Sequence, residues 1–217
     1  MRIRYMDGFY EQLHHRGLVP VVVLDQVADA LPVAHALADG GLTCAEVTFR
    51  TPAAADAINE IATHCPTVMV GAGTVLNVRQ ASQAVEAGAR FVVSPGTNPA
   101  VIDWCVSQRV PVVPGTLTPT ELTTVINRGL CVSKFFPANL YGGLAGVETL
   151  ASVFIGHRFM PTGGVSTDNL RDYLQSPAVI ACGGTWITRR DLIAAKDFAR
   201  IEELATQAAA LVNEVRG

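Results

Sequence analysis

The sequence predicts an α/β fold, a (β/α)8 TIM barrel forming a single compact domain over residues 1–217, and three observations carry that prediction. Apolar, β-branched runs of about five residues alternate with helical stretches of roughly 10 to 15, almost from end to end, as in a parallel sheet covered by helices. Glycines and polar side chains gather after the strands, at the carboxyl ends where barrels keep their chemistry. The markers of an open nucleotide-binding sheet are missing: no GxGxxG opens a helix after the first strand, and GxxxxGK[ST] does not occur.

Taken in order, Asp7 to Arg16 is expected as a short helix within an N-terminal extension, residues 1–17. Eight strands follow: Leu18 to Leu24, Cys44 to Phe49, Thr67 to Val70, Arg90 to Ser94, Val110 to Val113, Cys131 to Phe136, His157 to Met160 and Ala178 to Cys182. Each is an apolar run too short for a helix. Between them lie the helical patterns Val27 to Asp39, Pro52 to His64, Val78 to Ala87, Pro99 to Gln108, Pro119 to Arg128, Leu144 to Ile155 and Thr167 to Gln175. A terminal helix is expected from Phe198 to Val215, and turns such as Gly40-Gly41 and Ala87-Gly88 return helices to strands. At 217 residues the barrel is compact, since the usual length is about 250 with a floor near 200.

Composition narrows the function. Charged residues make up 16% and hydrophobic ones 49%, which points to surface buried between subunits. The net charge of -3 and scattered basic residues argue against nucleic acid. No apolar run reaches the roughly 18 residues of a membrane span, and the first residues lack a signal peptide's apolar core, so a cytoplasmic protein is expected. The five cysteines show neither CxxC nor histidine spacing and read as small buried apolar residues.

The strand Cys131 to Phe136 holds the residue that most needs explaining. Lys134 and Lys196 are the only lysines among 16 basic residues, and Lys134 lies inside an apolar strand. Arginine stays protonated, whereas a buried lysine can lose its proton and form a Schiff base with a carbonyl. The alternative is a lysine whose stem packs in the core while its ammonium reaches solvent or a carboxylate. Strand alternation puts Glu46, Thr48 and Arg50 on one face, pointing inward in a barrel. Glu46 then suits proton transfer and Arg50 a substrate carboxylate, unless the two pair with each other or with Lys134. The glycine-rich turns TGG (Thr162 to Gly164) and GGT (Gly183 to Thr185) offer backbone N–H groups to phosphate where barrels often bind it, or serve only as turns.

The segments EVTFRTP (Glu46 to Pro52), VGAGTVL (Val70 to Leu76), SPG (Ser94 to Gly96), VPVVPG (Val110 to Gly115), KFFPA (Lys134 to Ala138), PTGGV (Pro161 to Val165), NLRDYL (Asn169 to Leu174) and GGTW (Gly183 to Trp186) resemble, in order, the bacterial 2-keto-3-deoxy-6-phosphogluconate (KDPG) and 4-hydroxy-2-oxoglutarate (KHG) aldolases. The resemblance implies a class I aldolase of the Entner-Doudoroff pathway, a cytoplasmic homotrimer that cleaves a phosphorylated 2-keto acid to pyruvate and glyceraldehyde 3-phosphate without cofactor or metal. It implies Lys134 as the Schiff-base lysine, Glu46 as acid and base, and Arg50 and Thr74 on the pyruvate carboxylate. Pro95 and Phe136 would line the pocket, with phosphate against Thr162, Gly163, Gly164, Gly184 and Thr185. Two departures stand out: Thr185 where the family often has serine, and Asn139, Leu140 and Tyr141 where it often has glutamate and small residues. 4-Hydroxy-2-oxoglutarate and the phosphogalactonate are alternative substrates. A metal-dependent sugar-phosphate epimerase is the alternative of another class, weakened by the lack of inward His and Asp at strand ends.

Overall fold

The computed structural model describes residues 3–217; residues 1 and 2 of the expected extension lie outside the described residues. Helix α1 (Asp7–Arg16) has the expected bounds and buries Phe9, Tyr10 and Leu13. Phe9 stacks against Phe91, just before a strand, with ring centroids 5.3 Å apart. Gly17 ends the helix in the left-handed region, φ 63°, and its N–H bonds the Leu13 carbonyl.

Strands β1 (Leu18–Val22), β2 (Cys44–Thr48), β3 (Met69–Gly73), β4 (Val92–Val93), β5 (Val112–Val113), β6 (Gly115–Thr116), β7 (Val132–Phe135), β8 (Arg158–Pro161) and β9 (Cys182–Gly184) all pair in parallel. They form a curled six-stranded sheet in the order β5-β4-β3-β2-β1-β9 and a three-stranded sheet β6-β7-β8. Bridges Phe159↔Val179 and Thr162↔Gly183 link β8 to the segment of β9, and only Pro114 separates β5 from β6. Proline has no N–H to give a ladder, so pairing breaks there and resumes as β6, beyond the expected end of the fifth strand at Val113.

Helices α2 (Ala30–Asp39), α3 (Ala54–His64), α4 (Val78–Glu86), α5 (Pro99–Ser107), α6 (Pro119–Ile126), α7 (Gly143–Val153), α8 (Leu170–Gln175), α9 (Arg190–Ala194) and α10 (Phe198–Arg216) alternate with the strands. Local chemistry starts several of them. Asn77 and Asn98 cap α4 and α5, and Thr118 with Glu121 forms a capping box on α6. Proline opens α5 and α6, where its missing N–H costs nothing. The expected Val27 to Asp39 helix begins as a 3-10 turn, Val27–Asp29. One hydrophobic core unites residues from α1 to α10.

Two boundaries differ by more than fraying. β3 does not stop at Val70 but continues through Gly71, Ala72 and Gly73, and β9 starts at Cys182 rather than Ala178 and includes two glycines expected in a turn. Neighbouring side chains explain these glycines: a Cβ on Gly71 would come 2.4 Å from Phe91, and one on Gly73 2.1 Å from Glu46 Oε1. They are strand residues stripped of side chains to make room. Helix α9 and the 3-10 turn Ala138–Tyr141 were not expected from the pattern. No helix among the described residues is long and apolar enough to cross a membrane.

Candidate active site

β2 and β7 carry the two groups that matter most. Register places Glu46 opposite Gly71, and Lys134 between Gly115 and Met160. The glutamate is fully buried, the lysine is 4% exposed, and Lys134 Nζ donates to Glu46 Oε1 at 3.3 Å. The ammonium also stands 5.3 Å from the centre of the Phe136 ring. Lys134 therefore does not reach solvent; it ends in the interior against a carboxylate. Glu46 Oε2 has no hydrogen-bond partner among the described residues, which is costly for a buried oxygen and leaves it free to accept a proton.

Arg50 lies just past β2, exposed, and pairs with neither Glu46 nor Lys134; its Nε donates to Thr74 Oγ1 at 3.2 Å. Thr74 sits at φ 54°, a conformation that costs a β-branched residue about 1–3 kcal/mol. That strain turns the threonine hydroxyl toward the guanidinium. Thr48 is not part of this group, since its hydroxyl is spent on the Val22 carbonyl at 3.1 Å. Pro95 is half-buried against the next strand: a Cβ on Gly115 would come 2.2 Å from the Pro95 carbonyl oxygen.

The TGG turn and the glycines of β9 meet. Thr162 bridges Gly183, and Gly163 and Gly164 hold φ 94° and 76°, open only to residues without a side chain. Gly184 packs beneath Trp186, where a Cβ would come 2.1 Å from the ring, and Thr185 is exposed beyond it. The five residues expected at phosphate thus share one corner.

Some of the surroundings are invisible to strand periodicity. On the opposite face of β7 from Lys134, Ser133 Oγ lies 2.8 Å from Thr116 Oγ1 and 2.9 Å from His157 Nε2, forming a buried polar chain from β6 through β7 to the residue before β8. Burial pushes the His157 imidazole down to about 4, and its Nδ1 has no hydrogen-bond partner among the described residues. Hydroxyls and a histidine inside apolar strands are the signal that could have found the chain. None of the five cysteines is in a disulfide; four are buried as expected, Cys131 is half-buried, and burial drives the Cys44, Cys105 and Cys182 thiols up to about 12. Lys196, the other lysine, is half-exposed and ion-paired with Asp29. A cavity of about 310 Å³ around His15, Arg16 and Asn213 opens at the amino ends of β1 and β2, away from Lys134.

A parallel sheet wrapped in helices, with a buried lysine against a carboxylate and a glycine-lined corner nearby, defines an α/β enzyme equipped for amine and proton-transfer chemistry. The family model of KDPG and KHG aldolase matches residues 10–204. The 2-dehydro-3-deoxy-phosphogluconate aldolase of Treponema pallidum is 47% identical over 95% of this chain and 99% of its own. The Zymomonas mobilis KDPG aldolase structure with 3-phosphoglycerate superposes at TM-score 0.89, 38% identical, over 95% of this chain and 97% of the other. The Legionella pneumophila KDPG aldolase, with pyruvate captured as a covalent carbinolamine intermediate, superposes at 0.88, 34% identical, over 92% and 97%. The chain belongs to the KDPG and KHG aldolase family. These relatives give the metal-dependent epimerase alternative no support.

Proposed function

We propose that this protein is a class I aldolase that cleaves 2-keto-3-deoxy-6-phosphogluconate to pyruvate and glyceraldehyde 3-phosphate, a lyase of the Entner-Doudoroff route. The observation that carries the reading is the 3.3 Å contact between buried Lys134 and Glu46, a nucleophile and its proton carrier brought together from positions 88 residues apart.

Lys134 adds to the keto carbon and, with loss of water, forms an iminium ion. Glu46 takes the proton from the hydroxyl on carbon four, the bond between carbons three and four breaks, and its electrons enter the iminium. Glyceraldehyde 3-phosphate leaves. Glu46 returns the proton to carbon three of the enamine, and water hydrolyses the imine to free pyruvate and the amine. Arg50 and Thr74 hold the pyruvate carboxylate, Pro95 and Phe136 line the pocket, and Thr162, Gly163, Gly164, Gly184 and Thr185 receive the phosphate. The hydrogen bond from Arg50 to Thr74 and the corner shared by the TGG turn and the end of β9 support these roles.

The rest of the reading concerns the whole chain. Residues 1–217 act as one domain whose two sheets close into a (β/α)8 barrel, an inference supported by the β8–β9 bridges and the single-residue break at Pro114. The working form is a cytoplasmic homotrimer. 4-Hydroxy-2-oxoglutarate remains the competing substrate because the family model covers both activities. A substrate panel ranked by kcat/KM, with the phosphogalactonate included, decides among them.

Borohydride tests the mechanism directly. Reduction in the presence of pyruvate converts the imine to a stable secondary amine, adding one pyruvate-derived mass per chain on the peptide containing Lys134. Lys196 stays unlabelled, being tied to Asp29 far along the chain. Lys134→Arg keeps the charge without a nucleophile, and is expected to fold without activity. Label on Lys196, or inactivation independent of pyruvate, would sink the assignment.

A further inference from the structure

The five residues assigned to phosphate are all uncharged, so every additional neutral donor within reach of the dianion matters. Just after Lys134 the chain forms the 3-10 turn Ala138–Tyr141, and this turn is fastened to the phosphate corner. Ala138 N–H donates to the Thr162 carbonyl at 2.8 Å, and Asn139 N–H to the Gly163 carbonyl at 3.1 Å. The Asn139 side chain lies directly on Gly164: a Cβ at that glycine would come 2.4 Å from Asn139 Cβ and 3.3 Å from its Nδ2.

A second asparagine grips the same loop from behind. Asn169 Nδ2 donates to the Gly164 carbonyl and its Oδ1 accepts from Ser166 N–H, both at 2.9 Å. Both ends of its amide are engaged with backbone. Asn139 differs, being exposed, with no hydrogen bond to its side-chain amide among the described residues. One asparagine sets the shape of the turn, and the other presents unused donors beside it.

We propose that Asn139 is a further substrate-binding residue, donating an Nδ2 hydrogen to the phosphate and so raising the preference for phosphorylated over unphosphorylated 2-keto acids. The inference rests on the aldolase reading above. It gives the segment that departs from the family pattern a definite task in specificity.

Asn139→Asp keeps the shape that packs on Gly164 while replacing the donor with a negative charge. Steady-state kinetics on 2-keto-3-deoxy-6-phosphogluconate and on 2-keto-3-deoxygluconate, which lacks only the phosphate, separate the two contributions. The KM for the phosphorylated substrate is expected to rise at least about tenfold, with inhibition by inorganic phosphate weakened alike, and kcat/KM on the unphosphorylated substrate to stay within about twofold of wild type. An unchanged KM for the phosphorylated substrate, or equal losses on both, overturns the assignment. Pyruvate trapping on Lys134 of the wild-type protein keeps the layers apart. Intact trapping with unaltered phosphate handling in the variant removes Asn139 alone, whereas absent trapping removes the aldolase reading and this proposal together.

Discussion

Glu46 and Lys134 illustrate how burial turns one contact into machinery. In the interior each charge depends on the other, because removing one partner strands the remaining group without solvent. Glu46→Gln keeps the shape but removes the proton carrier, so turnover is expected to fall by about 10²- to 10⁴-fold with the circular dichroism spectrum unchanged. Activity within a few-fold of wild type would take Glu46 out of the mechanism. His157 yields a different prediction. Folded, it takes a proton only below about pH 4; unfolded, an imidazole does so below about 6.5. Between those values the unfolded chain binds more protons, so His157 lowers stability as pH falls through the window, by about 3 kcal/mol at the acid end. In His157→Val that loss should disappear: chemical denaturation at pH 6.5 and pH 4 should show a smaller acid-induced drop than wild type, and parallel drops would refute it. Lys134 and Glu46 were legible in the sequence because a lysine is rare in this chain and strand alternation has a fixed period. The Thr116–Ser133–His157 chain was not, because it depends on which residues of three strands lie side by side, and periodicity is silent about register.

Among elements, β3 departs most instructively from its expected reading. The glycines of Gly71-Ala72-Gly73 look like a turn, since glycine is the usual residue where a chain bends, yet all three residues lie in the strand. Their lack of side chains is dictated by other elements, Phe91 before β4 and Glu46 on β2. Apolar runs thus revealed where most strands lie, whereas the space demanded by neighbours decided where β3 ends. Gly73→Ala tests this at the site itself. The new Cβ would stand 2.1 Å from Glu46 Oε1 and 2.6 Å from Glu46 Cγ, so the carboxylate must leave its place beside Lys134. A kcat reduced by about 10²-fold, comparable to loss of the proton carrier, is the expected result. Near-normal kcat would show that Glu46 adapts without leaving the lysine.

At the scale of the whole molecule, the surface around α7 is what a lone chain leaves unexplained. Leu140 and Tyr141 precede this helix, and Val153 and Ile155 lie at its end, all four exposed, with Ile155 reaching 85%. Within the helix only Val147 is buried, although its sequence, GLAGVETLASV, is largely apolar. Scattered apolar residues need no explanation, but a helix flanked at both ends by exposed large ones has the character of an interface. The low charge content of the chain suits the same reading, because surface that is covered does not need charge to stay soluble. Sedimentation equilibrium is expected to give three times the chain mass of 23.0 kDa. If the subunits meet over this face, a Val153→Glu/Ile155→Glu pair buries two unpaired carboxylates on assembly and should shift the mass toward the single chain. Pyruvate trapping on Lys134 then reports whether each subunit still carries a working site, since both substitutions lie on the surface, away from the Lys134–Glu46 pair. A variant that keeps the wild-type mass would move the interface elsewhere on the molecule, and a wild-type protein that sediments as a single chain would remove the trimer itself.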